Sequence, residues 1–140
     1  MTSPLERLSG PGKSLIAEAP DAREFASLRD SGLARLKDAK VAGLSLEGRF
    51  DLAYNAAHAL CLAALRAKGY RSSNRYMVFQ VLPHTLGLGP EVWRVLAKAH
   101  DQRNASEYVG KFEVSERLLT DLLASAEKVA EKVRALPLPG

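Results

Sequence analysis

The chain has 140 residues, 46% hydrophobic and 26% charged, which is the balance of an ordinary globular domain. That length predicts a single domain able to bury its own core. The one cysteine, Cys61, excludes a disulfide within the chain and any zinc site built on cysteine pairs. It sits in the apolar run "AAHALCLAAL" and reads as a small core residue. The net charge of +4 is compatible with an anionic partner, but the basic residues are spread along the chain and do not by themselves require one. No run of about 18 apolar residues occurs, so a cytoplasmic protein with no membrane partner is expected.

Residues 1–20 read as a flexible N-terminal segment. "SPLE" (Ser3 to Glu6) has the form of a capping box and predicts one helical turn, which "SGPGKS" then breaks. That string is not a P-loop, because the position five before Gly12 is Arg7 and no strand precedes it. Asp21 can cap a helix whose Phe25, Leu28, Leu33 and Leu36 recur at near-helical spacing up to about Lys40. "GLSLEG" connects it to a long Ala- and Leu-rich helix that begins as early as Leu46 and stops at Gly69, a plausible C-terminal cap. So many small apolar residues mark this helix as the central one.

"YRSSN" is a polar loop, and "RYMVFQVLPHTLGLG" predicts a short helix ending by Leu82 or Thr85 because of Pro83. Pro90 suits a first helical position, from which "EVWRVLAKAHDQRNASEYV" continues for about five turns. The last helix is predicted from Ser115 to Leu136, with Leu118, Leu122, Ala126, Val129, Val133 and Leu136 in one apolar stripe that Leu119, Leu123 and Ala130 widen. No segment alternates like a strand, so no sheet is expected. The fold class is all-α: an antiparallel bundle of four to five helices over residues 21–136, with 137–140 a tail.

The chemistry is concentrated in "DQRNASEYVG". At about 100° per residue, Arg103 shares a helix face with Glu107 and with His100, and Asn104 shares one with Tyr108, while Arg103 and Tyr108 stand about 140° apart. Arg103 therefore either pairs with Glu107 on the surface or supplies a cation to a groove. On the central helix His58 follows Tyr54 by four residues, near Asn55 and Asp51, and could face the same groove. No His-x-x-x-His pair or usable Glu-x-x-His occurs, so neither a metal nor a cofactor is expected.

The helix order, the small-residue-rich second helix with "YNAAHAL", and "RN-x-x-x-Y" late in the fourth helix together resemble the HEPN superfamily. The resemblance extends over roughly Asp21 to Leu136; "DLAYNAAHALCLAALRAKGYRSSNRYMVFQVLPHTLGL" looks especially like a bacterial branch of small HEPN proteins, and "RNASEYVG" resembles that branch's form of the motif. It implies a HEPN-like bundle, a homodimer whose two motifs meet, and a catalytic set of Arg103, Asn104 and Tyr108, to which helix geometry adds His100, one turn before Arg103 on the same face. RNA or nucleotide phosphate would be held by Arg103, Asn104, Asn55 and His58.

In RNase members a histidine stands where this chain has Tyr108. Metal-free RNA cleavage needs a base, an acid and a cation for the phosphate. Arginine supplies the cation, but ionising a tyrosine at pH 7 costs about 4 kcal/mol. The expectation is RNA or nucleotide binding with weak or lost metal-independent RNase activity. A non-catalytic interaction or dimerisation module docking a protein partner is the alternative, and an active toxin-type RNase the second.

Overall fold

The computed structural model describes residues 3–109 and 114–139, apart from the side chains of residues 106–109. The fold is predominantly helical. The four longest helices are α2 (Ala22–Ala39), α3 (Leu46–Ala67), α6 (Pro90–Val109) and α7 (Glu116–Arg134), with short helices α1 (Pro4–Arg7), α4 (Arg75–Gln80) and α5 (Leu82–Thr85). Helix α3 is central: α2, α4, α5, α6 and α7 all contact it.

Local signals account for the helix boundaries. The Ser3 and Glu6 side chains form a reciprocal capping box on α1. Asp21 accepts from the backbone N–H groups of Arg23 and Glu24, Ser45 from that of Gly48, and Ser115 from that of Leu118, so α2, α3 and α7 each begin on a polar cap. Gly69 takes φ +89° just beyond the end of α3, a conformation that other residues adopt only under strain. Pro83 lies in the first turn of α5, and α4 has already ended at Gln80.

The core forms where the apolar faces meet. Phe25 and Leu36 of α2, Phe50, Leu60, Cys61 and Leu65 of α3, and Leu122, Val129 and Val133 of α7 are buried, as are Val92 and Leu96 of α6. In the stripe read for α7, Leu118, Leu119, Ala126 and Ala130 are buried as well, while Leu123 and Leu136 pack partly exposed against it. Gly32 brings α2 close to α3: a Cβ there would stand 2.7 Å from Leu60 Cγ and 3.2 Å from the Ala56 carbonyl oxygen.

Two features depart from the expectations. The segment before α2, read as flexible, is anchored to the rest of the fold. Leu5 and Leu15 are buried, and Ile16–Ala17 (β1) pairs antiparallel with Tyr70–Arg71 (β2). A strand of two residues is too short to leave an alternating pattern, which is why no sheet was visible in the sequence.

The second feature explains the anchoring. Arg66 lies on the buried side of α3 with 1% exposure. Its guanidinium donates to Glu24 Oε1 and to the carbonyls of Glu18 (2.9 Å) and Ala19 (2.8 Å). Arg71 shares both carboxylates, Glu18 and Glu24. Arg71 and then Arg66 hold the Glu24 carboxyl below the usual carboxylate range. A buried guanidinium must have its donors satisfied, and the N-terminal segment supplies most of the acceptors.

Candidate functional site

Three helices bring polar side chains to one place. Asp51, Tyr54, Asn55 and His58 recur at three- and four-residue spacing on α3, and so share a face. α4 contributes Arg75, Tyr76 and Phe79, and α6 contributes His100, Arg103 and Asn104. The approach of α4 is set by the loop before it. There the buried Ser72 hydroxyl donates to the Ser14 carbonyl (2.8 Å) and accepts from the Asn74 N–H, while Asn74 caps α4 through the Met77 N–H. The N-terminal segment thus supports the turn that presents Arg75.

Tyr54 is the hub. Its side chain is buried at 1% exposure, and its hydroxyl makes a 2.8 Å hydrogen bond with His100 Nδ1. Two guanidinium carbons lie near its ring, Arg103 at 5.2 Å and Arg75 at 5.7 Å from the centroid, both within cation–π range. Arg103 Nε donates to Asp51 Oδ1 at 3.1 Å. Arg75 Nη1 donates to Asn55 Oδ1 at 3.3 Å, and the Asn55 amide donates to the Asp51 carbonyl at 2.9 Å. The other nitrogen of His100, Nε2, is 3.1 Å from Asn104 Nδ2. With that amide donating, Nε2 carries the lone pair and Nδ1 the proton that bridges to Tyr54.

Aromatic rings close the cluster from α4. Phe79 meets Tyr54, His58 and His100 edge-on, and Tyr76 meets His100 at 6.3 Å while remaining 37% exposed. Burial lowers the His58 pKa to about 4, and the positive charge of Arg75 and the proximity of His100 add to the effect. His58 is therefore neutral at pH 7 and packs its ring against Phe79.

Of the residues singled out in the sequence, Arg103, Asn104, His100, Asn55 and His58 come together in this cluster. The side chains of Tyr108 and Glu107 lie outside the described residues, and Arg103 pairs with Asp51. Sequence reasoning missed Arg75 and Tyr76, which follow a loop and share no helical period with α3. The polar run Tyr54–Asn55 and His58 on an otherwise apolar helix was the available sign that α3 faces something polar. Burial pushes the Cys61 thiol far above its ordinary pKa, as befits a core residue.

Among the described residues no three His, Cys, Asp or Glu side chains are grouped to hold a metal ion, and no helix is long and apolar enough to cross a membrane. Chemically the cluster offers two cations, a histidine oriented by a tyrosine hydroxyl, and exposed amide and carboxylate groups. Comparison with protein-family models, with curated proteins and with solved structures returns no match for this chain.

Proposed function

We propose that the chain is a HEPN-like antiparallel helical bundle, dimeric and cytoplasmic, that binds RNA or nucleotide phosphate through Arg103 and its neighbours. Its metal-independent RNase activity is weak or lost. The observation that carries this reading is the convergence of Arg103, His100 and Asn104 of α6 with Asn55 of α3 around the buried Tyr54 ring. Residues some 50 positions apart in sequence are needed to build that arrangement, and a solvated surface arginine does not require it.

The roles follow from the chemistry of each group. Arg103 offers a planar fork of donors suited to phosphate oxygens, and stacking on Tyr54 limits the orientations it must give up on binding. Asn104 and Asn55 supply amides that hydrogen-bond a phosphate or sugar. His100, held at Nδ1 by Tyr54, has Nε2 next to the exposed Asn104 and is the best-placed proton-transfer group of the cluster. Its own contact with Asn104 must break before it can reach a substrate, consistent with weak cleavage. His58 adds no charge at neutral pH.

The Asp51–Arg103 ion pair favours one second reading, a dimer or protein-docking surface with its charge already balanced. Binding of a labelled single-stranded RNA by wild type and by Arg103→Ala, with cleavage followed in EDTA, separates the two. Wild type is expected to bind, and Arg103→Ala to lose most of that binding. Slow cleavage in EDTA that depends on His100 would raise the enzyme over the binder, whereas equal, negligible binding by both proteins would remove the proposal. Light scattering at micromolar concentration should give the mass of a dimer, and a monomer mass would remove the dimeric part.

A further inference from the structure

Arg75 has no place in the motif that drew attention to Arg103, yet the two side chains are arranged alike. Each guanidinium lies within 6 Å of the Tyr54 ring centre, and each is held from α3 by a side-chain oxygen, Asn55 Oδ1 for Arg75 and Asp51 Oδ1 for Arg103. Both are partly exposed, one entering from α4 and the other from α6. Two cations sharing one ring repel each other unless an anion lies between or beside them. The Asp51 carboxylate, paired with Arg103, lies beside them and is itself half exposed. Burial is the main cause of the lowered pKa of the nearby His58, and the charge of Arg75 adds to it.

We propose that Arg75 is a second phosphate-binding cation, and that Arg75 and Arg103 together grip a single-stranded phosphodiester chain across the Tyr54 ring. The Asp51 carboxylate holds the place beside Arg103 until a phosphate displaces it. This rests on the phosphate-binding role proposed above for Arg103. A phosphodiester chain suits the pair better than a lone terminal phosphate, because the two forks come from different helices and can take separate oxygens or adjacent phosphates. Tyr76, exposed beside His100, provides a ring on which an unstacked base can lie.

The test is fluorescence anisotropy of a short single-stranded RNA titrated with full-length protein at several salt concentrations. For single strands each phosphate contact contributes about 0.7 to the slope of log affinity against log salt. Arg75→Gln is expected to weaken binding at least several-fold and to reduce the slope by about 0.7, and Arg103→Gln to do the same. Because Arg75→Gln could also disturb α4, Arg75→Lys is measured beside it, with circular dichroism as the check on folding. The lysine variant should keep the slope and lose affinity, since the charge remains and the planar fork does not. Asp51→Asn should bind more tightly than wild type, and adenosine monophosphate should compete only at concentrations far above those of an unlabelled strand.

If folded Arg75→Gln binds with unchanged slope while Arg103→Gln is weakened, the two-cation grip is wrong and the single-cation function stands. If neither variant changes binding, both readings fall. Weaker binding by Asp51→Asn would overturn the displacement of its carboxylate. Competition by the monophosphate on equal terms with the strand would make the site one for free nucleotides. Displacement of RNA by oligoglutamate as readily as by RNA would make the surface one for an acidic protein.

Discussion

Replacing Gly32 by alanine tests whether the close contact between α2 and α3 is built as described. At an exposed helical position the change would stabilise by about 1 kcal/mol, the difference in helix propensity. Gly32 is buried, and the new Cβ would stand 2.7 and 2.9 Å from Leu60 Cγ and Cδ2 and 3.2 Å from the Ala56 carbonyl oxygen. Leu60 is fully buried, and Cγ is not the flexible end of its side chain, so relief requires the helices to separate. Overpacking of this kind costs about 1–3 kcal/mol, leaving a net loss of up to roughly 2 kcal/mol after the propensity gain. Urea denaturation of Gly32→Ala, with the exposed Ser27→Ala of the same helix as control, measures the difference. A double-mutant cycle with Leu60→Ala should show coupling of about 0.5–3 kcal/mol, because removing the leucine opens the space that the methyl group needs. A Gly32→Ala protein more stable than wild type by about 1 kcal/mol, with no coupling to Leu60, would refute the close approach.

Three further outcomes are expected. Arg66→Met should destabilise by about 2–4 kcal/mol in chemical denaturation, since it strips donors from two backbone carbonyls and leaves Glu18 and Glu24, both part exposed, without their buried partner. His58 has a folded-state pKa of about 4 against an ordinary 6.5, so the unfolded chain binds more protons between these values. Its contribution to stability is complete above pH 6.5 and is lost as the pH falls towards 4, by up to about 3 kcal/mol, and His58→Gln should flatten that part of the stability profile. Tyr108→His should bring metal-independent cleavage of single-stranded RNA that disappears on adding Arg103→Ala, read on a denaturing gel in EDTA.

The helices were legible because their signals are local. The caps Asp21, Ser45 and Ser115, the stop at Gly69 and the apolar stripe of α7 each act within a turn or two of their own helix. What the sequence hid depends on distant partners. Arg66 in an Ala- and Leu-rich run looks like an exposed residue until Glu18, Ala19 and Glu24 are folded around it, and those residues make the first segment part of the core. The site divides in the same way. His100, Arg103 and Asn104 are neighbours on one helix and could be read together, and the spacing of Tyr54, Asn55 and His58 placed them on one face. Arg75 and Tyr76 reach Tyr54 and His100 only because a paired strand and the Ser72 hydrogen bonds aim α4 at α6, and no periodicity records that.

The most direct test of the phosphate-binding account is a nitrogen-15 NMR titration of the full chain with a short single-stranded RNA, following the arginine Nε–Hε and asparagine amide side-chain signals. The signals of Arg103, Arg75, Asn104 and Asn55 are expected to move together and to saturate at one concentration, with high salt reversing the change. A second basic surface, formed by Arg94, Lys98 and Arg117 near the start of α7, provides the internal comparison. Shifts at that surface with the Tyr54 cluster unmoved, or no shifts at all, would contradict the account.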